Sequence, residues 1–131
     1  MNWYRRLKER YYLYKNRRNA PNTLEEAVER LKIDFKDNED VKTWIKLPEA
    51  KATGLAHFGI GMWIRNNWGL WMEGHPLQLY FRTVLEIWHA DDMSSIILTC
   101  FHREMNGKIW ELERQVEKYK KFWAEKDNVV G

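Results

Sequence analysis

Two sets of residues in this chain have the types and spacing to do chemistry. The first is His57, Arg65, Asn66 and Asn67, with Trp63 before the asparagines and Trp68 and Trp71 after them. A planar guanidinium, two amides and indole faces suit an anionic or nucleotide-like ligand, because Arg grips phosphate with paired N–H donors and a base stacks on an indole. The second is Ser95, Thr99, His102 and Asn106, which follow one another at three- and four-residue steps along one stripe of a helix, with Asp91 one turn earlier. The remainder of that helix is apolar (Met93, Ile96, Ile97, Leu98, Cys100, Phe101, Met105), so the stripe is either its solvent side or the lining of a polar site inside a bundle. The binding reading has His57, Arg65, Asn66, Asn67, Trp68, Trp71, Ser95, Thr99 and His102 converge on one cleft that takes a small phosphate-bearing ligand. The competing reading has Arg65 and the asparagines cap neighbouring helices and pair with Asp91 or Asp92.

Metal-assisted hydrolysis is the enzyme alternative. His57, His75, His89, His102, Asp91 and Asp92 could supply three ligands and leave one position open, the minimal set being His89, Asp91 and His102. No His-Glu-x-x-His helix supports it. Nucleophilic catalysis has less to stand on: Cys100 lies on the apolar side of its helix, and Ser94 and Ser95 follow aspartates at a helix start, where capping is the ordinary role. No glycine-rich phosphate loop or dinucleotide fingerprint occurs, and no cofactor is implied.

The elements that must position these groups read as helices throughout. Thr23 and Glu26 form a capping box ahead of the stripe Leu24, Ala27, Val28, Leu31 and Phe35. Asp37-Asn38-Glu39-Asp40 is a polar break before a short helix with Val41, Trp44, Ile45 and Leu47. Pro48 opens a central helix predicted to run through Asn66 or Asn67, buried all round, and to stop at Gly69 in a left-handed C-terminal position. Gly59 and Gly61 each cost about 1 kcal/mol against alanine inside a helix, so their presence predicts a close approach to this backbone. Gly54 and Gly61, seven apart, predict a small-residue groove.

Trp68 to Gly74 reads as a loop unusually loaded with large apolar residues. Pro76 then opens a helix to about Trp88, with Leu77, Tyr80, Phe81, Val84, Leu85 and Trp88 on its core side. An aspartate caps the helix Met93 to Asn106. A last helix, Lys108 to Asp127, carries Ile109, Leu112, Val116, Tyr119 and Trp123 along one seam, to lie against the domain or a second subunit.

The central block His57-Phe58-Gly59-Ile60-Gly61-Met62-Trp63-Ile64-Arg65-Asn66-Asn67-Trp68-Gly69-Leu70-Trp71, the later Asp91-Asp92-Met93-Ser94-Ser95-Ile96-Ile97-Leu98 and the opening Thr23-Leu24-Glu25-Glu26-Ala27-Val28 resemble a family of short bacterial and phage proteins catalogued as a domain of unknown function. The resemblance spans roughly residues 22–123 and departs at Ala90, where members carry proline. It implies a small cytoplasmic domain in a bacterial or phage setting and supplies no reaction.

Length and composition agree with one domain over residues 1–131. A chain of 131 residues can bury one real core, and its 44% hydrophobic content is ordinary, but eight Trp, six Tyr and five Phe call for a core, a pocket or an interface to hold them. Net charge is +3, concentrated at the start: residues 1–18 hold seven Lys or Arg against one acid, and the remainder is acid-rich. That first segment, with Trp3, Tyr4, Leu7, Tyr11 and Tyr14 at helical spacing, reads either as a terminal helix docked by its rings or, through residues 3–18, as a surface for nucleic acid or anionic lipid. One cysteine excludes an internal disulfide and fits a reducing compartment. No apolar run is long enough to span a membrane, and no secretory leader is visible.

The fold expected is therefore all-α, a single-domain bundle of about six or seven helices around a buried central helix. The function expected is non-enzymatic binding of a small anionic or nucleotide-like ligand, in keeping with sequestration of a defence signal. A protein interaction module of the inhibitor or immunity type and a metal-dependent hydrolase are the alternatives, and a homo-oligomer would form through the last helix.

Overall fold

The computed structural model describes residues 6, 8, 9 and 15–130. The ring positions Trp3, Tyr4, Leu7, Tyr11 and Tyr14 of the basic segment lie outside them. Among the described residues the chain is all-helical, with α1 at Leu24–Asp34, α2 at Glu39–Ile45, α3 at Glu49–Ala56 and α4 at Ile60–Asn67. Next come α5 at Pro76–Tyr80 running into a π-helical turn at Phe81–Leu85, α6 at Ala90–Met105 and α7 at Leu112–Val130. No helix among the described residues is long and apolar enough to cross a membrane.

Local chemistry sets the helix starts. Thr23 Oγ1 accepts the Glu26 N–H at 3.2 Å, while the Glu26 carboxylate reaches back to the Asn22 N–H at 2.7 Å, one residue earlier than an ideal capping box. Asn38 Oδ1 accepts the Val41 N–H at 3.0 Å and starts α2. Leu24, Ala27, Val28 and Leu31 are the buried side of α1, as their spacing predicts.

The predicted helix from Pro48 to Asn67 is two helices. After Ala56 the chain turns through His57 and Phe58, and Gly59 takes φ −97°, ψ −103°, off the helical values, before the next helix starts at Ile60. Gly59 is thus the break itself. Gly61 has the other role the pattern predicted: a Cβ there would stand 2.9 Å from the Ala56 carbonyl, 3.1 Å from Arg65 Nη1 and 3.5 Å from Leu98 Cδ1. Gly54 sits on a different helix with open space beside it, so the two glycines form no common groove. Nor is this segment buried all round, since Phe58 is 76% exposed and Met62 and Trp63 are also at the surface.

The central position belongs to α6, which packs against α1, α3, α4 and α7. Met93, Ile96, Ile97, Leu98 and Phe101 are all buried on it, each contributing about 1.5–3 kcal/mol by leaving water. Its N-cap is His89 rather than an aspartate; Asp91 and Asp92 lie in the first turn.

Gly69 ends α4 as predicted, at φ +71°, with the Leu70 N–H closing back to the Arg65 carbonyl at 3.1 Å. That closure tucks Trp68 and Leu70 into the core and explains the apolar loop. The helix from Pro76 does not reach Trp88: it widens to a π turn at Phe81 and stops at Glu86, held left-handed at φ 58°. The wider turn rotates the rest of the segment, so Val84 and Trp88 face solvent and Ile87 is buried instead. The last helix begins at Leu112, and Leu112, Val116 and Tyr119 pack on the core of this same chain. Ile109 lies outside the helix and is exposed.

Candidate functional site

Arg65 is 3% exposed, with both terminal nitrogens hydrogen-bonded and a buried Nε that has an ion-pair neighbour but no hydrogen bond among the described residues. Its Nη1 donates to Ser94 Oγ at 2.8 Å and its Nη2 to the His57 carbonyl at 2.9 Å, and Nε lies 3.3 Å from Asp91 Oδ1. Ser94 in turn donates to the Asp91 carbonyl at 3.0 Å. This guanidinium clamps the turn at His57 to the start of α6, across the space that Gly61 leaves open. Both terminal nitrogens of Arg65 are spent on bonds within the fold.

The residues after it go elsewhere. Asn67 is buried and pairs with Asn16 at 2.8 Å and with the Trp63 carbonyl at 2.9 Å. The exposed Asn66 offers its carbonyl to Arg17 Nε at 2.9 Å, which satisfies a helix-end acceptor. Trp68 is core, edge-on to Trp63, whereas Trp71 is 58% exposed. The first expected set is therefore a joint between α4 and the end of the basic segment. His75 belongs to that joint: its Nε2 lies 2.9 Å from the Arg17 carbonyl, which can only accept, so the proton is on Nε2.

The polar stripe of α6 divides. His102 is buried, with Nε2 donating to the Leu47 carbonyl at 3.0 Å and its ring edge-on to Trp44. Asn106 donates to the Ile45 carbonyl at 3.0 Å, so both residues secure the connection from α2 to α3. Ser95 and Thr99 instead form the floor of a groove of about 720 Å³ between α3 and α7, with Thr53 and His57 on one wall and Arg114 and Lys118 on the other. Of the nine residues expected to converge, His57, Ser95 and Thr99 do. The metal set does not assemble: His89 and His102 lie thirteen residues apart along one helix, about 20 Å, and no three metal-ligating side chains cluster among the described residues.

The groove has a mouth of rings and a far wall of cations. His57 and Phe58 stand edge-to-face at 4.7 Å at one end. At the other, Arg103 is held by Glu49 through Nε at 2.6 Å and Nη2 at 3.1 Å, which keeps the Glu49 carboxyl below its usual range. Arg114 reaches only a loose 3.5 Å contact to Glu111, with most of its side chain in water, and Lys118 is exposed beside it. Tyr119 is partly buried between the groove and the core; burial raises its pKa, and its hydroxyl bonds Ser95. Sequence reasoning missed Thr53, Arg114 and Lys118. Their signal is weak, because Arg114 and Lys118, four apart, read as the solvated side of an amphipathic helix.

A family model described as a domain of unknown function (DUF6794) matches residues 20–105. The chain belongs to that family. Comparison with curated proteins and with solved structures gives no match. The matched span closes with α6, well short of residue 123. The family domain thus supplies the floor of the groove and its α3 wall, and α7, beyond the match, supplies the cationic wall.

Proposed function

We propose that this protein binds a small anionic, nucleotide-like ligand without transforming it, in the groove floored by Ser95 and Thr99. The observation that carries the reading is the pairing of walls: the half-buried His57 and exposed Phe58 rings on one side, and Arg114 and Lys118, of which Glu111 meets only Arg114 and loosely, on the other, across one groove with a hydroxyl floor. A base stacks on the rings while a phosphate takes the cations and the hydroxyls. Cys100 offers this groove no nucleophile, since it is buried and its thiol is pushed up to about 12. Retention without turnover is what sequestration of a signalling nucleotide in a phage or bacterial cell requires, and that is the role we assign to it.

Isothermal titration with adenosine 5′-monophosphate, and with inorganic phosphate alone, tests the reading. Saturable nucleotide binding is expected, weaker for phosphate, and lowered roughly tenfold or more in the Arg114→Glu/Lys118→Glu double variant with far-UV circular dichroism unchanged. Absence of saturation with either probe, or equal binding by the double variant, contradicts it.

A second reading, docking of a protein, draws on Leu55, Phe58, Met62 and Trp63, all exposed around the break between α3 and α4. It predicts that Phe58→Ser impairs formation of a complex with a partner protein and that adenosine 5′-monophosphate gives no saturable binding.

A further inference from the structure

A separate cavity of about 690 Å³ opens on the opposite edge of α7, between that helix, the π turn and the start of α6. Its walls are aromatic: Trp88, Trp123 and Tyr119, with His89 stacked on Trp123 at 3.6 Å between centroids. Trp88 is placed here by the left-handed Glu86, which stops the helix and turns the next residues outward; it stays 61% exposed. Backbone of this kind, a π turn ending in a non-glycine left-handed residue, concentrates where a site has to be shaped.

The charges on these walls do not balance. Lys120 is taken by Glu86 at 2.5 Å, and Arg82 by both oxygens of Glu73 at 2.8 Å. Asp92 and Asp127 are then left with no Lys or Arg of their own among the described residues lining the cavity, and His89 is the one basic ring that faces Asp92. Asp92 accepts only the Trp123 indole N–H, at 2.8 Å, and burial raises its pKa, which marks a carboxylate short of compensation. The rings already draw cations from the protein itself: the Arg82 guanidinium lies 5.0 Å from the Trp88 centroid, and Lys126 lies 5.3 Å from that of Trp123. A metal ion does not fit, because no three of its usual ligands come together among the described residues.

We infer that this cavity is a binding site for a small organic ammonium ion, with Trp88 and Trp123 as the ring walls and Asp92 as the counter-charge. The site differs from the groove in ligand charge as well as position, so either can fail without the other.

Choline is the probe, and its neutral isostere 3,3-dimethylbutanol is the control. In a ¹H–¹⁵N titration of the full chain, choline is expected to shift the indole N–H signals of Trp88 and Trp123 saturably, each signal assigned by its loss in Trp88→Phe and Trp123→Phe. The isostere should bind at least about fivefold more weakly, and Asp92→Asn, which keeps an acceptor for Trp123, should weaken choline by a similar factor. Trp88→Ala, at an exposed position, should do the same without loss of fold. No saturable shift, shifts spread over the other indoles, equal binding of the neutral isostere, or indifference to Asp92→Asn and Trp88→Ala would each overturn the inference.

Discussion

The two edges of the last helix make opposite surfaces from one amphipathic pattern. Along one edge Arg114 and Lys118 face hydroxyls across a polar groove; along the other Trp123 and Asp127 face Trp88 and Asp92 in an aromatic, acidic cavity. Tyr119 lies between them and lines both. The difference comes from the partner each edge is laid against. The polar stripe of α6 meets one, and the π turn that throws Trp88 outward meets the other. A helix whose apolar seam is spent on its own domain can still specify two ligand chemistries through the residues that border the seam.

Arg65 sharpens the comparison, because it belongs to neither edge. Replacing it with alanine removes the buried clamp and leaves the His57 carbonyl and an acceptor position on Ser94 unpaired, so about 1–3 kcal/mol of stability should be lost in urea unfolding. Nucleotide binding, measured where the variant is still folded, should remain within about threefold of wild type, roughly 0.6 kcal/mol. Tyr119→Ala comes next, at about 1–3 kcal/mol for an aromatic side chain partly buried on the core. As the shared wall, it is the single change expected to weaken both nucleotide and choline.

Acid separates the two edges by sign. Arg103 holds the folded-state pKa of Glu49 below 4.5, so this pair's stabilisation is complete above that value and is lost as pH falls through the folded pKa. Glu49→Gln should therefore cost about 1 kcal/mol at pH 7, with the difference from wild type closing below pH 4.5. Burial raises Asp92 above 3.8, so the folded state binds the proton more tightly, and stability falls as pH rises from 3.8 through the folded pKa. Asp92→Asn should accordingly be neutral or stabilising at pH 7, an advantage that disappears below pH 3.8. Unfolding midpoints of both variants across pH 3 to 7 check the two slopes together. Arg114→Glu with Lys118→Glu should move stability least, within about 0.5 kcal/mol, as expected of exposed positions.

Much of the scaffold was legible because caps and breaks are written locally. Thr23, Asn38 and Gly69 each name a terminus by the hydrogen bond or backbone conformation they supply, and Cys100 shows its inertness by its place on an apolar helix side. The break at Gly59 was hidden, since the apolar spacing from Ala52 to Ile64 continues through it and only the backbone conformation betrays it. The π turn was hidden for a related reason: one wider turn leaves composition untouched yet rotates Val84 and Trp88 out of the core. That Arg65, Asn66, Asn67 and Trp68 stand away from the groove was not legible, because a polar cluster beside tryptophans looks alike whether its donors are free or spent. Whether they are spent depends on Ser94, Asp91 and Asn16, which come together only in the fold. The place of Ser95 and Thr99 in the groove was legible because their stripe interrupts an otherwise apolar helix.

The claim that bears the most weight is that the open groove, and not the Arg65 joint, receives the anion. A ¹H–¹⁵N titration with adenosine 5′-monophosphate, tracking backbone amides together with the Arg65 Nε–H signal, addresses it directly. Saturable shifts are expected at Thr53, Ser95, Thr99 and Lys118 while the Arg65 signal stays in place. Shifts centred on Arg65 and Asn67, or none that saturate, would contradict it.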